Sequence, residues 1–412
     1  MKIEVLITNG NVRPGLAIAR SLARQGISFI IVGDRPGSLA FRSRHVTHTA
    51  VGPDPGNEPD AYFEFILALV KRHGIELVIP VLEDSLLPLL EHRSELEAHT
   101  RLAAAQTDAL RNVLDKRMNL ALVRELGVDC PGEYALESTD QIPDMIETLG
   151  FPIVLKPQGS PHDKQLPAFP FKVLFANNEQ QLRDYLDQYC SDGVYPMFQE
   201  CVFGTPHSLC CFAVNGEIVA MHEYRSLRTT KGQGVFRQFV PNTPAGEVGA
   251  RRMLKALKWD GLAHFDFYIE HGTNRLRYME TNGRFWSSVA GSIHAGWDFP
   301  LWVYRYFRHG EAPVPGPYEI GTQMCWRRGD LAALFHYYTG GPPPTKDPSV
   351  GKLKATLQYL AAFRPSVKSD LFRWDDPLPE FADHWSLVRR GLEAAFEKGF
   401  AKDPTRVSTP GQ

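Results

Sequence analysis

The sequence lacks the features that would tie it to an oxidising compartment, a polyanion or a membrane. Its six cysteines (Cys130, Cys190, Cys201, Cys210, Cys211, Cys325) form no CxxC pair and have no histidine at zinc-finger spacing. Neither a disulfide framework nor a structural metal is indicated, and a reducing cytoplasm is the expected location. Neither charge is in excess: the formal charge is -2 and the sequence pI about 6.7. That argues against a general nucleic-acid binder, whose affinity comes from concentrated Lys and Arg. Pairs such as Arg251-Arg252 and Arg327-Arg328 read as solvated helix edges. No apolar run approaches the roughly 20 residues that span a bilayer, and "MKIEVLITNG" has no small-residue cleavage site. GxxxxGK[ST], an HRD catalytic loop, internal repeats and low-complexity tracts are also missing.

What is present is enough apolar sequence, 43% of 412 residues, for two or three domains with cores of their own. "IEVLIT" and "ISFIIVG" read as buried parallel strands around a helix from about Pro14 to Gln25. "AYFEFILALVKRHG" is a second helix, "ELVIPV" a further strand, and one helix is expected from about Asp84 to Ala98. This is a doubly wound βαβ pattern. Its first turn, "TNGNVRPGLAIARSL", lacks GxGxxG spacing, so Gly10 and Gly15 read as a tight strand-to-helix turn rather than a cofactor loop.

From "LDKRMNLALVRELGVDCP" the pattern changes to a helix over about Lys116 to Leu126, then a small α/β unit. That unit has strands near "EYAL", "PIVLKP" and "FKVLF" and helices at Ile142 to Leu149 and Glu179 to Tyr189. A block of strands follows ("PMFQECV", "HSLCCFAV", "EIVAMHEY", "GVFRQFV"), with Asn215-Gly216 as a hairpin turn. The helix "EVGARRMLKALKW" then leads to the hairpin "GLAHFDFYIE" and "RLRYMET". Past Pro313 the chain is Pro-rich and then helical, with "GGPPPTKDP" as a loop and "HWSLVRRGLEAAFEKGF" as an amphipathic helix.

Within the hairpin, Glu280, Asn282 and Arg284 recur at alternate positions, and Asp266 lies on the partner strand. Carboxylates among Phe265, Phe267, Tyr268 and Met279 are costly unless a cation compensates them. A hard divalent ion takes carboxylate and amide oxygens and completes its shell with phosphates, which Arg284 would also meet as a fork of donors. The residues alone equally allow an internal ion pair between Arg284 and one acid. Lys156 closes an apolar strand, Lys116 opens a helix, and Gln199 and Glu200 end another strand; each has a plain structural reading as well.

Taken in order, "DKRMNLALVRELGVDCP", "GFPIVLKP", "FQECVFG", "HFDFYIE" and "ETNGRFWSS" resemble the ATP-grasp superfamily, in particular the branch that looks like the synthetase domains of carbamoyl phosphate synthetase. The likeness covers roughly residues 1 to 310. It implies an α/β chain in three parts: a doubly wound parallel-sheet domain over 1–108, an ATP-grasp domain of two α+β subdomains over 109–318 with a lid at about 130–198, and a helical C-terminal extension over 319–412. By resemblance Lys116 and Lys156 contact ATP phosphates, Glu200, Cys201 and Val202 hold adenine, and His207 stands where the family places a ribose-binding acid. Asp266, Glu280 and Asn282 would hold Mg²⁺, or Mn²⁺ in its place, and Arg284 would steady a phosphorylated intermediate.

The implied activity is that of an ATP-dependent carboxylate-amine or carboxylate-thiol ligase, acting on small-molecule acid and amine substrates through an acylphosphate. Two alternatives stay open: a nucleotide-binding regulatory protein with lapsed chemistry, and an enzyme that stops at a phosphorylated small acid. Three departures from the family pattern stand out: His207 for the ribose acid, the bulky "QGSPHDKQLPAFPF" for the usual Gly- and Ser-rich lid loop, and Asp266 for a longer first acid. "YRSLRTTKGQGVF" is read as a basic loop in which Arg225, Arg228 and Lys231 would receive an acidic group. Ser287 and Ser288 are read as helix caps, and His162, His207 and His222 as surface or packing residues. The acids of "DLFRWDDPLPEF" lack EF-hand spacing and are read as docking the C-terminal segment, which would cover the substrate entrance or form an oligomer contact, a homodimer being the form considered.

Overall fold

Five short parallel strands open the computed structural model, which describes residues 2–159, 163, 166–191, 193–230, 232–339 and 351–386. They are β1 (Val5–Ile7), β2 (Phe29–Gly33), β3 (Thr49–Val51), β4 (Leu77–Ile79) and β5 (Arg101–Leu102), in the order β3-β2-β1-β4-β5. Every residue of β1, β2 and β4 is buried, as in a sheet covered on both faces. The helices α1 (Arg13–Arg24) and α2 (Pro59–His73) begin with Pro in their first turns, where no N–H partner is lost. The single helix expected over Asp84 to Ala98 is two, α3 (Glu83–Glu91) and α4 (Arg93–Glu97). Pro88 lies inside α3, where its ring blocks one backbone bond, and the helix stops within a turn.

A helix not expected from the sequence, α5 (Thr107–Leu114), precedes α6 (Lys116–Glu125). Between them Asp115 caps α6 by accepting the N–H groups of Arg117 and Met118. The second sheet contains β6 (Glu133–Tyr134), β7 (Ile153–Lys156), β8 (Leu174–Ala176) and β9 (Met197–Glu200), in the order β6-β9-β7-β8. With α7 (Ile142–Leu149) and α8 (Glu179–Tyr189) it encloses a separate small core that includes Ile142, Met145, Ile153, Leu155 and Phe198.

The third sheet has seven strands: β10 (Gly204–Val214), β11 (Glu217–Thr230), β12 (Gln233–Val240), β13 (Gly261–Glu270), β14 (Leu276–Asn282), β15 (Gln323–Cys325) and β16 (Val367–Ser369). Their order is β14-β13-β10-β11-β12-β15-β16. Asn215 and Gly216 turn the first hairpin with φ of 50° and 81°, the conformation such tight turns require. Alternation divides the sheet's residues between two cores. Leu209, Cys211, Phe265 and Phe267 pack with Ala250, Met253 and Leu254 of α9 (Pro244–Ala256). Cys210, Phe212, Tyr224 and Phe239 pack with Trp286, Phe299 and β1.

After α10 (Val289–His294) and α11 (Phe299–His309) the C-terminal part supplies α12 (Arg327–Thr339) and α13 (Lys352–Ala361), together with β15 and β16. The two strands are an addition to the helical extension expected from sequence. Asp376 takes Arg20 of α1 at 2.9 Å, and Asp370 pairs with Arg13 and Arg237, so these acids fasten the extension to the body of the protein. The loop "GGPPPTKDP" and residues 387 onward of the amphipathic helix lie outside the described residues. No helix among the described residues is long and apolar enough to cross a membrane.

Candidate active site

The hairpin of β13 and β14 sets Asp266 directly opposite Glu280, and His264 opposite Asn282. Strict alternation would also turn Tyr278 to that face. It does not, because the pairing jumps from Phe267 and Tyr278 to Asp266 and Glu280 and leaves Met279 as an extra bulged residue. Tyr278 therefore points into the core, bonded to Asn119 and, at 2.6 Å, to Thr281. Met279 sets the register in which both acids share one face.

Asn282 Nδ2 lies 3.5 Å from Asp266 Oδ2 and 3.4 Å from Glu280 Oε1, between the two acids. Its Oδ1 accepts Arg284 Nη2 at 3.1 Å, while Arg284 Nε reaches Glu83 Oε1 at 3.3 Å. Like charges placed opposite each other in a ladder repel. Burial first, and then the charge of Glu280, push the Asp266 carboxyl up to about 7. Burial also acts to raise Glu280, but Lys116, Lys156 and Arg284 outweigh it and hold that group below the ordinary carboxylate range. Burial lowers Lys156 to about 8, with Glu280 opposing and Lys116 reinforcing the shift.

The two lysines thus stand where their charge acts on Glu280, yet among the described residues no lysine or arginine is in ion-pair contact with Asp266 or Glu280. About a third of the Asp266 side chain remains exposed. Two carboxylates make an oxygen donor set that suits a hard divalent cation, and Asn282 would add its Oδ1 once the amide is turned from Arg284 toward the acids. Among the described residues no third His, Cys, Asp or Glu joins them, so the remaining positions would fall to water and to a ligand's phosphates. The donor set fits Mg²⁺.

Lys116 opens α6 and Lys156 closes β7, so the lysines approach from different elements. The two are tied near their bases: Lys116 N–H donates to Gln158 O at 2.9 Å, and Gln158 Nε2 donates to Asp115 Oδ2 at 3.0 Å. Glu200 ends β9, and its carboxylate is paired with Arg277, which also reaches Glu270 at 3.2 Å. Cys201 and Val202 belong to the short connection from β9 to β10, between the small sheet and the large one. Burial raises the Cys201 thiol while Lys156 opposes the shift, so this connection and Lys156 are neighbours.

Other sequence expectations place differently. His207 is opposite Phe267, one residue from the pair Ser208 and Asp266, so its ring lies on the other face of the sheet from the acids. Its Nδ1 is 2.5 Å from the buried Glu223, which also accepts Thr243 N–H at 2.6 Å. Arg225 shares that other face, is exposed, and donates to Gln238 at 2.8 Å. The basic loop expected around it is strand, because β11 continues to Thr230. Arg228 is spent on Asp330 in a two-point pair at 2.5 and 2.6 Å. Lys231 and His162 lie outside the described residues. Ser288 occupies the position before α10 but makes no capping bond.

Sequence reasoning missed Ser208, whose hydroxyl donates to Asp266 Oδ1 at 2.6 Å, and His264, whose Nε2 is 3.5 Å from the same oxygen. It also missed Glu83, which binds Arg284 from the first sheet's domain. The register of β10 against β13 would have found Ser208, but one strand's periodicity does not contain that register.

No family model matches the chain. It is 24% identical over 189 residues to D-alanine--D-alanine ligase of Chlorobaculum parvum, a match covering 41% of this chain and 50% of that protein. It is also 24% identical over 156 residues to the carbamoyl phosphate synthase large chain of Clavibacter michiganensis subsp. michiganensis, covering 35% of this chain and 13% of that one. The chain thus spans half, or much less, of the length of these relatives. Among solved structures, N5-carboxyaminoimidazole ribonucleotide synthetase from Thermus thermophilus superposes with a TM-score of 0.58 at 19% identity, over 77% of this chain and 81% of that one. The biotin carboxylase domain of Hydrogenobacter thermophilus 2-oxoglutarate carboxylase, solved as a dimer with MgADP, ADP and bicarbonate, superposes with a TM-score of 0.62 at 15% identity, over 78% and 74%.

Proposed function

We propose that this chain, which has the ATP-grasp fold, uses ATP and Mg²⁺ to activate a small carboxylate as an acylphosphate for attack by an amine or a similar nucleophile. One observation carries the reading: Asp266 and Glu280 oppose each other with Asn282 between them and, among the described residues, with no lysine or arginine in ion-pair contact, while Lys116, Lys156 and Arg284 bring positive charge to the same place. Such an arrangement is costly to fold and suited to a polyphosphate with its cation.

Asp266 and Glu280, with Asn282 beside them, would hold the divalent ion, which when bound neutralises the phosphate charge. Lys116 and Lys156 offset the charge that remains on the phosphates. The substrate carboxylate oxygen attacks the γ-phosphorus, the bond from γ-phosphorus to the bridging oxygen breaks, and ADP leaves. The nucleophile then attacks the carbonyl carbon, its proton passes to solvent, and phosphate departs with the former carboxylate oxygen. Arg284, held from both sides, faces the oxygens on which charge grows. Protein groups need only align and neutralise. Residues of about 130–198 would serve as the lid, and the connection at Glu200, Cys201 and Val202 as the adenine edge. With His207 and Arg225 on the other face of the sheet, neither is assigned a role in the reaction under this reading.

The test supplies ATP and Mg²⁺ with a panel of acids and nucleophiles. ADP and phosphate should appear only when a suitable pair is present. AMP and pyrophosphate as products would refute the acylphosphate route, and ATP binding with no turnover on any pair would favour a regulatory role.

A further inference from the structure

Ser208 is 7% exposed and lies directly opposite Asp266 in the ladder of β10 and β13. Its hydroxyl donates to Asp266 Oδ1 at 2.6 Å, and His264 Nε2 approaches the same oxygen at 3.5 Å. Behind them the Tyr224 hydroxyl, opposite Ser208 on β11, is 3.2 Å from His264 Nε2. One carboxylate oxygen is thus bound into the sheet. The other, Oδ2, is the one beside Asn282 Nδ2, which also lies 3.4 Å from Glu280 Oε1. An aspartate has a short reach, and a carboxylate free to rotate would present either oxygen and lose order each time it bound a cation.

We propose that Ser208 is a positioning residue: its hydroxyl fixes the rotation of the Asp266 carboxylate so that Oδ2 is the oxygen offered to the divalent ion. This rests on the reading of Asp266 as a cation ligand. Hydrogen-bond partners of ligating carboxylates typically change metal affinity by about 10- to 100-fold when removed.

The test measures Mn²⁺ binding directly, from the electron paramagnetic resonance signal of free Mn²⁺ in the presence of ADP, and ADP binding without metal by calorimetry. Wild type should hold Mn²⁺ with ADP. S208A should weaken Mn²⁺ about ten-fold or more, leave metal-free ADP affinity unchanged, and melt near the wild-type temperature. S208T should stay close to wild type. Should S208A not fold, the isosteric pair S208T and S208V makes the same comparison. If S208A holds Mn²⁺ as wild type does, Ser208 has no positioning role and the cation reading of Asp266 survives. If S208A loses metal-free ADP to the same degree, the hydroxyl serves only the sheet and the proposal falls. If wild type itself takes up no Mn²⁺ with ADP, the proposal and the reading beneath it fall together.

Discussion

Glu83, the first residue of α3, accepts Arg284 Nε at 3.3 Å, so the N-terminal parallel-sheet region holds the arginine that faces the two acids of the large sheet. Both side chains are about a quarter exposed, at 23% and 28%, and an ion pair of that kind adds only about 0 to 1 kcal/mol to stability. Its effect should therefore be on rate. R284M is expected to lower turnover about 100-fold or more, the usual loss when one preorganised donor is removed. E83Q should fall between wild type and R284M, with neither melting temperature moving far. Single-turnover ADP formation together with thermal melts checks both; a wild-type rate in R284M would remove Arg284 from the site.

Glu280 and Asp266 give the opposite combination, in which function and stability should separate. With no cation present, two carboxylates across a ladder repel, and the raised Asp266 carboxyl reports that repulsion after burial. E280Q removes one charge and keeps the shape. Because Lys116, Lys156 and Arg284 favour the ionised Glu280, the variant should melt somewhat below the wild-type temperature in metal-free buffer yet stay folded under assay conditions, and lose at least about 100-fold in turnover. Full activity in E280Q would show that the acids do not hold the cation.

Arg228 should behave as a stability residue, although its sequence context suggested a substrate-binding loop. Its guanidinium makes a two-point pair with Asp330, whose side chain is fully buried, and stacks 4.3 Å from the Phe236 ring. Removing one partner of a buried pair strands the other charge, at about 3 to 5 kcal/mol. R228M is expected to lose stability of that order in urea melts while the folded fraction keeps the wild-type KM. Arg225 is exposed and bonded only to Gln238 among the described residues, so R225A should change neither quantity appreciably. A raised KM in either variant would reinstate the sequence expectation.

These contrasts mark where the sequence was informative. Local signals located β13 within its observed ends, the turn at Asn215 and Gly216, and α8, because periodicity and turn chemistry act over a few residues. The grouping of Asp266, Glu280, Asn282 and Arg284 was legible because a single hairpin holds the first three and its exit holds the fourth. The Met279 bulge was not, since nothing local separates a bulged apolar residue from a paired one. Relations between distant segments were also hidden: Arg228 with Asp330, Glu83 with Arg284, and Ser208 with Asp266 depend on registers and packing that no single segment encodes. The face that His207 takes was hidden for the same reason. Its strand position was visible, but the face that strand would turn to the acids was set by β13.

His222 supplies a pH prediction whose sign follows from its surroundings. Its ring sits among Phe239, Trp286, Trp297, Phe299 and Tyr318, at centroid distances of 5.0 to 5.9 Å, with Nε2 2.8 Å from Ser292 Oγ. Burial lowers its pKa to about 3 in the fold, against about 6.5 in an unfolded chain. Above pH 6.5 both states are neutral and the full stability is present. As pH falls below that value the unfolded chain takes up a proton that the fold refuses, and stability declines by about 1.4 kcal/mol per unit until the folded pKa is reached. At pH 5 the loss from this one residue is about 2 kcal/mol. H222F keeps a ring in the aromatic cage and cannot take the proton, and Ser292 retains its bond from Trp286 Nε1 at 3.2 Å. Its stability at pH 7 can shift in either direction with packing, so the slope is the quantity to measure. Urea melts at intervals from pH 7 to 5 should show H222F losing about 2 kcal/mol less than wild type across that range. Parallel curves would mean that the folded protein takes up the proton on His222 as readily as the unfolded chain does, which would overturn the lowered pKa of the buried ring.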